Sequence, residues 1–418
     1  MLADHPPARG LSALTGARLF DGTGTPFGEP VTVLLRDGRV DAVRDVLAPL
    51  PAGVPSLDLT GRYLMPGLVD AHAHLSILEH SERLPRPDSG GEPLFPNVVG
   101  HVVAQTLRRC LRMGVTTVRD VGAYGDTVLE SRQAMRYGLF AGPRLYACGR
   151  IVSATAPGGR FFDGMYREAD GPDDLRRAVR EQFRRGADFI KLMTTGARSV
   201  ELEDPDPAQL TEPEVAAVVD EAHRLGYRVA AHCEGLAGTE LAVRAGVDSI
   251  EHGMYLHRRP DLLDAMAERG QVLVPTLDFL HVVAEDGTWT PELVEQGKFN
   301  VDEAHRTLAA AQRAGVTIAL GHDSFAVEQA AAELLRLVEH GMTASDALRA
   351  ATLGGALALG ADDTIGTVRP GRWADLVVLD ADPVQDPSCL LDRDRIRLVL
   401  RNGVPVAGAD LDPPALGL

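Results

Sequence analysis

The stretch RGADFIKLM, residues 185 to 193, joins a glycine to a short apolar run that ends in a lysine. A glycine in this place is typical of the residue that follows the last turn of a helix, and the apolar run is typical of a buried strand. The same junction recurs in MGVTTVRD (113–120), LGYRVAAHC (225–233), AGVDSIEHG (245–253), RGQVLVPTL (269–277) and AGVTIALGHD (314–323). The pattern predicts that helices and strands alternate.

Two further apolar runs bring the number of units to eight: LVDAHAHL (68–75) and RLYACGR (144–150). Eight similar units predict a (β/α)8 barrel of the TIM type, and the competing architecture is an open, doubly wound sheet. The joins from helix to strand are minimal, whereas four long segments rich in proline and glycine follow strands: 78–97, 153–174, 196–213 and 278–297. In a barrel these segments lie over the carboxyl ends of the strands, where active sites are built.

The two ends of the chain have a different pattern. VTVLLRDGRVDAV (31–43) and IRLVLRNGVPV (396–406) are typical of hairpins with Asp-Gly and Asn-Gly turns. Strand-like ends on either side of a barrel form a stable unit only if they meet in space. We therefore predict a discontinuous β-sandwich made of residues 1–62 and 362–418, with the barrel in residues 63–361.

Composition limits the classes of partner. The chain has 418 residues, of which 45% are hydrophobic, so it can bury a large core. Its formal charge of −17 and its pI near 5.2 argue against a nucleic-acid partner and against an anionic membrane surface. A small-molecule substrate is therefore expected.

The cysteines and the N-terminus bear on the compartment. Cys110, Cys148, Cys233 and Cys389 are far apart and lack CxxC spacing, which predicts reduced thiols in the core. The opening MLADHPPARG lacks the apolar segment of a signal peptide, and no stretch has 18 uninterrupted apolar residues. We expect a cytoplasmic protein.

Polar side chains stand at the carboxyl ends of the predicted strands. In the first strand Asp70, His72 and His74 project to one side, because side chains alternate along a strand. A single His-x-His pattern is weak, since a lone buried histidine is usually a hydrogen-bonded core residue. Buried ionisable groups, however, cost several kcal/mol unless they are paired or bind metal. A metal site is therefore predicted by the conjunction of these residues with Lys191, His232, His252 and Asp323.

The lysine at residue 191 is unusual for this chain. Of 42 basic residues, only Lys191 and Lys298 are lysines, and all others are arginines. A neutral lysine amine can add carbon dioxide to form a carbamate with two anionic oxygens, whereas arginine stays protonated. A carbamate that bridges two cations would explain why lysine is used here. The alternative, a lysine paired with an acidic group, does not explain why arginine was not used.

With these residues in this order, the chain resembles the amidohydrolase superfamily, and in particular a branch with Xaa-Pro dipeptidases, arginine and lysine carboxypeptidases and ochratoxin-type amidases. The resemblance covers nearly the whole chain. It is carried by the motifs YLMPGLVDAHAHL, GVTTVRDVG, GADFIKLMTTG, AHCEG, GVDSIEHG, VPTL and TIGTVRPGRWADLVVLDADP.

The resemblance implies a ligand set. His72 and His74 would bind one metal ion, His232 and His252 the other, and N6-carboxylated Lys191 would bridge them. Asp323 would bind the first ion and handle the proton. Zinc suits imidazole and oxygen ligands, while manganese or iron would be tolerated. The resemblance also suggests a homo-oligomer.

The sequence departs from the branch at two places. APGGRFFDG (156–164) lacks the histidine of the usual Gly-Gly-His-Gly segment, and His322 stands where threonine is more usual. Substrate preference is therefore not transferred from a relative. Candidates for contact with a substrate, which could equally be ordinary loop or ion-pair residues, are Arg119, Arg160, Arg198, Tyr255 and His322. Asp70 is predicted either to orient a ligand histidine or to be structural.

We predict that the protein hydrolyses the amide bond of a peptide or N-acyl amino acid with a metal-bridging hydroxide, and that Asp323 accepts the proton and passes it to the leaving amine. Three alternatives remain. A cyclic-amide or imidazolone hydrolase, or a deaminase, would use the same scaffold, often with one metal ion. An enzyme of specialised metabolism could use the centre for another reaction. A catalytically silent binding protein is the third, against which the complete ligand set argues.

Overall fold

The computed structural model describes residues 7–77, 96–198, 200, 203–285, 290–324 and 326–409. Within these ranges the protein is a mixed α/β fold with one sheet built from both ends of the chain and two parallel sheets between them. Most of the predicted loop 78–97 lies outside the described residues. None of the helices in the described ranges combines the length and hydrophobicity that crossing a membrane requires.

The terminal sheet has the strand order β18-β17-β16-β5-β1-β2-β3, with β4 beside β1. Its strands are β1 (Leu11–Leu19), β2 (Pro30–Arg36), β3 (Arg39–Asp45), β4 (Ser56–Asp58), β5 (Tyr63–Pro66), β16 (Leu376–Leu379), β17 (Ile396–Arg401) and β18 (Val404–Ala407). Met65 of β5 pairs with Val377 of β16, so the two ends of the chain meet as expected. Since β5 covers residues 63–66, this sheet extends past the predicted boundary at residue 62.

Both predicted hairpin turns are present. Asp37 and Gly38 have φ of 49° and 78°, and Asn402 and Gly403 have φ of 50° and 72°, as a two-residue hairpin turn requires. The segment 371–374 bonds to both sides of this sheet: the carbonyl of Arg372 accepts from the N–H of Val40 in β3, and the carbonyl of Ala374 accepts from the N–H of Gly403 between β17 and β18. A hydrophobic cluster separate from the main core lies between its strands.

The eight predicted strands of the middle region all occur, and they run parallel in chain order. They are β6 (Leu68–Ala73), β7 (Val115–Asp120), β8 (Arg144–Ala147), β11 (Ile190–Met193), β12 (Val229–Cys233), β13 (Ser249–His252), β14 (Val272–Val274) and β15 (Thr317–Ile318). Two short strands, β9 (Ile151–Ser153) and β10 (Tyr166–Glu168), lie in the predicted loop 153–174 and just before it, and they extend the second sheet.

The edges of the two parallel sheets are joined by hydrogen bonds. The N–H of Asp188 donates to the carbonyl of Ala147 over 2.9 Å, which joins the segment before β11 to β8. The N–H of Ala71 donates to the carbonyl of Leu320 over 2.9 Å, which joins β6 to the segment after β15. The three-stranded sheet of β6, β7 and β8 is therefore bonded on both of its sides to segments next to strands of the second sheet.

The helices of the described ranges are α1 (Pro96–Arg112), α2 (Thr127–Arg136), α3 (Pro157–Phe161), α4 (Pro172–Arg185), α5 (Glu212–Arg224), α6 (Leu236–Ala245), α7 (Pro260–Arg269), α8 (Leu277–Glu285), α9 (Pro291–Ala314), α10 (Ala331–Glu339), α11 (Ala344–Arg349) and α12 (Gly355–Leu359). Thr211 and Glu214 form a capping box at the start of α5, and Thr343 caps α11. The predicted loop 278–297 is largely helical, since α8 and the start of α9 occupy it. All four cysteines fall in the described ranges and are buried free thiols.

Candidate metal centre

Two histidines at the end of β6 present free ring nitrogens to one carboxylate. His72 Nδ1 lies 2.7 Å from Glu251 Oε2, and His74 Nδ1 lies 3.0 Å from the carbonyl of Gly122. Since a carbonyl only accepts, Nδ1 of His74 carries the proton and its Nε2 keeps a lone pair. The Nε2 atoms of His72 and His74 lie 3.4 Å and 3.7 Å from Asp323 Oδ1. Three ligand atoms therefore converge at this place.

A second pair of histidines lies beside the first. His232 Nδ1 and His252 Nε2 are 2.9 Å apart. His232 Nε2 donates to the carbonyl of Gly196 over 3.2 Å, so its Nδ1 carries the lone pair that faces His252. Two nitrogens bound to one tetrahedral zinc at about 2.0 Å would lie about 3.3 Å apart, close to the observed distance. Burial lowers the pKa of His74 to about 4 and that of His232 to about 3, so both rings stay neutral, as ligands must be.

Lys191 of β11 lies among these ligands. Its side chain is 2% exposed, and Nζ has no hydrogen-bond partner among the residues that the structure describes. Burial lowers its pKa, although Glu251 and Asp323 act in the opposite direction. Leaving such a donor buried and unpaired costs about 1–3 kcal/mol. Carbamate formation requires a neutral amine, and the burial of Lys191 disfavours its charged form.

Beneath the histidines, Glu251 is bound on both of its oxygens. Its Oε1 accepts from Arg119 Nη2 over 2.8 Å and from Ser249 Oγ over 2.5 Å, while Oε2 contacts His72. Burial works against ionisation, yet Arg119 and His72 hold the pKa of Glu251 below its usual range. Arg119, a predicted substrate contact, is 3% exposed and instead fixes Glu251. Glu251 was not predicted to be a site residue, and the only feature of the sequence that pointed to it was its position directly before His252.

The backbone is strained where the site is built. His252, Thr276 and Asp323 have φ of 68°, 51° and 50°, whereas the other two non-glycine residues with positive φ in the described ranges lie in the hairpin turns. Such a conformation costs of order 1–3 kcal/mol, and a β-branched threonine is a rare occupant. Thr276 Oγ1 lies 2.7 Å from His252 Nδ1. The turned backbone at His252 lets its ring face the same side as Glu251, which strict alternation along β13 would not allow.

Asp70 ties the first and last strands together through the backbone. Its Oδ1 accepts from the N–H groups of His72 and His322, each over 3.1 Å. Burial raises the pKa of Asp70 to about 6. His322, a predicted substrate contact, is 1% exposed and its Nε2 lies 3.1 Å from Asp278 Oδ2 of α8. Asp70 thus fixes the position of His72 through the main-chain N–H of that histidine, and His322 contacts α8 through Asp278.

A cavity of about 230 Å³ opens over the ligand atoms. Its wall is mainly apolar and includes Ile77, Ile151, Phe161, Phe162, Met165, Met193, Ala197, Met254, Phe279, Leu280, Val283 and Leu293. Phe161 and Phe162 belong to the segment 156–164 that departs from the branch, so aromatic rings line the cavity there. Arg160 of α3 is exposed beside them.

Of the five residues named as candidates for contact with a substrate, Arg198 lines this cavity. Its Nε lies 3.4 Å from Glu234 Oε2, and its guanidinium stands over the ring of Tyr255 at 5.3 Å. Tyr255 also packs against Arg258, at 4.5 Å, and lies outside the cavity as the described residues outline it. Burial raises the pKa of Glu234 to about 7. Glu234 was missed as a site residue, although it stands two residues after His232 and so shares its face.

Comparisons with known proteins relate the chain to the amidohydrolases. The model of the amidohydrolase family matches residues 63–406. An ochratoxinase of Aspergillus niger is 31% identical over 376 residues, which cover 84% of this chain and 77% of that protein. An imidazolonepropionase of Salinispora arenicola is 29% identical over 438 residues, covering 94% and 96% of the two chains. The crystal structure of a Xaa-Pro dipeptidase with bound methionine superposes with a TM-score of 0.84 at 27% identity and covers 94% of this chain and 99% of that one.

Proposed function

The chain belongs to the amidohydrolase family, and we propose that it hydrolyses an amide bond with two divalent cations held by six side chains. The observation that carries the proposal is the amine of Lys191, buried and unpaired among the described residues, at the point where four histidines and Asp323 meet. A mononuclear centre leaves that amine unexplained.

The donor atoms fit the two cations. His72 Nε2, His74 Nε2 and one oxygen of Asp323 would hold the first, and His232 Nδ1 and His252 Nε2 would hold the second. Lys191, once carboxylated, would contribute one oxygen to each. Zinc matches this set of nitrogen and oxygen donors. When bound, the two cations lower the pKa of a shared water and polarise the carbonyl of the substrate.

Asp323 is the residue that handles the proton. Its Oδ1 faces His72 and His74, whereas Oδ2 lies 3.9 Å from His252 Nδ1, and the residue lines the cavity. One oxygen can therefore stay on the cation side while Oδ2 takes a proton from the attacking water and passes it to the nitrogen of the leaving amine.

The cavity supports a substrate that joins an apolar group to a carboxylate. Phe161, Phe162 and Met165 supply an apolar wall, and Arg198 supplies a cation beside it. A guanidinium binds a carboxylate through paired hydrogen bonds. We therefore propose an N-acyl amino acid or a dipeptide with a bulky apolar side chain, its carboxylate on Arg198.

The same proposal includes the architecture. The hydrogen bonds at both edges of the parallel sheets support a closed (β/α)8 barrel with the ligands at its carboxyl-terminal face. The terminal sheet would form the second domain, built from both ends of the chain, around its own hydrophobic cluster.

The test counts cations by elemental analysis and looks for a carbamate by carbon-13 NMR in labelled bicarbonate. We expect two cations per chain and a carbamate signal that Lys191→Ala removes. Lys298→Ala is the matched control, because Lys298 is the other lysine, exposed and paired with Glu295 over 2.8 Å. One cation with unmodified Lys191 would contradict the binuclear centre and favour the imidazolone type of hydrolase. A protein without bound cations would contradict the hydrolytic proposal.

A further inference from the structure

Three histidines come together on the outer helices, away from the centre described above. They are His281 of α8, His305 of α9 and His340, which follows α10. His281 Nε2 and His340 Nε2 lie 2.7 Å apart, and the rings of His305 and His340 have centroids 4.6 Å apart. We propose that this cluster is a separate site for a transition-metal cation of the zinc type, which fastens α8 to α10. The proposal is independent of the proposed hydrolysis.

The ring of His281 is oriented as a metal ligand is. Its Nδ1 lies 2.7 Å from Glu285 Oε1, one helical turn along α8. A carboxylate that accepts from Nδ1 leaves the lone pair on Nε2, and metal-binding histidines commonly have such a partner. That Nε2 faces His340. His281, His340 and the carboxylate of Glu339 each offer one donor atom, and these three atoms all lie within 4.8 Å of one another.

The burial of the cluster favours a bound cation over a simple surface contact. His281 and His340 are 7% and 9% exposed, whereas Glu339 is exposed and gives the site an opening to solvent. Burial, with His281 and His305 close by, lowers the pKa of His340 to about 4, so the ring is a neutral donor at ordinary pH. Three protein donors with an open fourth position are a common arrangement for zinc.

Around the cluster, one arginine faces three carboxylates. Arg336 of α10 lies 3.0 Å from Glu285, 3.1 Å from Glu339 and 3.4 Å from Asp278. It neutralises part of the carboxylate charge and competes with a cation for Glu339. A hydrogen bond from His340 Nε2–H to His281 Nε2 is the competing account of the short distance. For zinc the two nitrogens would open to about 3.3 Å, a small movement of two side chains.

The position of the cluster gives the cation a consequence for the cavity. Phe279, Leu280 and Val283 of α8 line the cavity, while His281 on the same helix contacts His340. Leu293 of α9 lines the same wall. A cation on His281 and His340 would therefore hold the helix that forms this part of the wall against α10.

The experiment measures zinc binding by the whole protein, with its catalytic cations in place. After equilibration with zinc and gel filtration, elemental analysis should find one zinc more per chain in the wild type than in His340→Gln or in His281→Gln. The control is His101→Gln, since His101 is an exposed histidine of α1. Glu285→Gln should weaken the extra site about 10–100-fold without abolishing it.

Equal zinc counts in the wild type, His281→Gln, His340→Gln and His101→Gln would overturn the proposal. Thermal unfolding of each variant checks that it is folded, and two independent histidine variants protect the test from one that is not. Because the result is a difference between variants, it stands whether the catalytic centre holds two cations, one or none.

Discussion

Charged side chains between the parallel strands and charged side chains on the outer helices are paired in different ways. Between the strands, Arg119 and Ser249 bind Oε1 of Glu251 and His72 contacts Oε2, so this carboxylate has a single arrangement. On the outside, Glu240 pairs with both Arg259 and Arg244, whose side chains are 31% and 61% exposed. The inner pairs position ligands at a cost in stability, and the outer pairs can exchange partners.

The histidine cluster of α8 to α10 combines features of both regions. It lies on the outer helices, yet two of its rings are as buried as those of the metal centre. Its supporting carboxylate comes from the same helix, at Glu285, whereas the centre takes support from other strands, as His72 does from Glu251. Buried imidazoles outside the strand interior therefore indicate a site that the hydrolytic reaction does not need.

The largest effect is expected at Asp323. Asp323→Asn removes the group that takes the proton, so kcat should fall at least about 1,000-fold. The amide keeps an oxygen beside His72 and His74, so cation content should change little. Steady-state kinetics with elemental analysis on the same samples provides the measurement. A variant with a nearly normal rate would show that another group handles the proton.

Glu251→Gln tests the inner pairing directly. It leaves Arg119 buried without a charged partner, which costs about 3–5 kcal/mol of unfolding free energy. It also weakens the support of His72, so cation affinity should fall about 10–100-fold. Urea unfolding and cation titration measure the two effects.

Glu240→Gln is the matched outer change. Exposed ion pairs contribute about 0–1 kcal/mol, so it should alter stability by no more than that and leave cation affinity unchanged. If the two glutamine variants behaved alike, the distinction between inner and outer pairs would be wrong.

Arg198→Met tests the substrate side of the cavity. The loss of a charged hydrogen bond of about 1.5–3 kcal/mol predicts a fall of about 10–100-fold in kcat/KM, mainly through KM. The fall should be confined to substrates with a free carboxylate, and their carboxamides should be hydrolysed at similar rates by both proteins. Arg160→Met, at an exposed arginine of α3, should be neutral. Equal losses on both substrate types would rule out the carboxylate contact.

The last prediction concerns the pH dependence of stability and Glu221, whose carboxylate accepts hydrogen bonds from arginines of α4 and α5. Hydrogen bonding from Arg180 and Arg224 lowers its pKa to about 2, although burial acts in the opposite direction. The folded pKa lies below the unfolded one, so the stabilisation is present above about pH 4.5 and is lost as pH falls towards 2. Glu221→Gln should therefore cost about 1 kcal/mol at pH 7 and progressively less in acid. Urea unfolding at several pH values measures this, and a cost independent of pH would contradict it.

Much of the centre follows from local patterns. The glycines that precede six strands all adopt positive φ, as Gly186 does at 95°, because a helix end requires that conformation. The spacing of His72 and His74 places both rings on one side of β6. These features depend on residues that are neighbours in the chain.

Residues supplied by distant parts of the chain were harder to predict. Arg119 was one candidate for a substrate contact, with an ion-pair role as the alternative, and it bonds Glu251, 132 residues away. The apolar wall from α8 and α9 was expected to be a loop, and the meeting of His281 with His340 had no local signal. A pattern along the chain indicates which side of a strand or helix a residue faces, but it does not indicate which distant residues that side chain contacts.

The sequence by itself determined the alternation of helix and strand, the meeting of the two chain ends and the chemical type of each ligand, because periodicity, turn residues and side-chain chemistry are local properties. Only the tertiary structure decided which nitrogen each histidine leaves free, which arginine reaches the cavity and which amine stays unpaired. Those choices depend on hydrogen bonds and burial between residues far apart in the chain, and on the strained backbone at His252, Thr276 and Asp323 that the packed fold maintains.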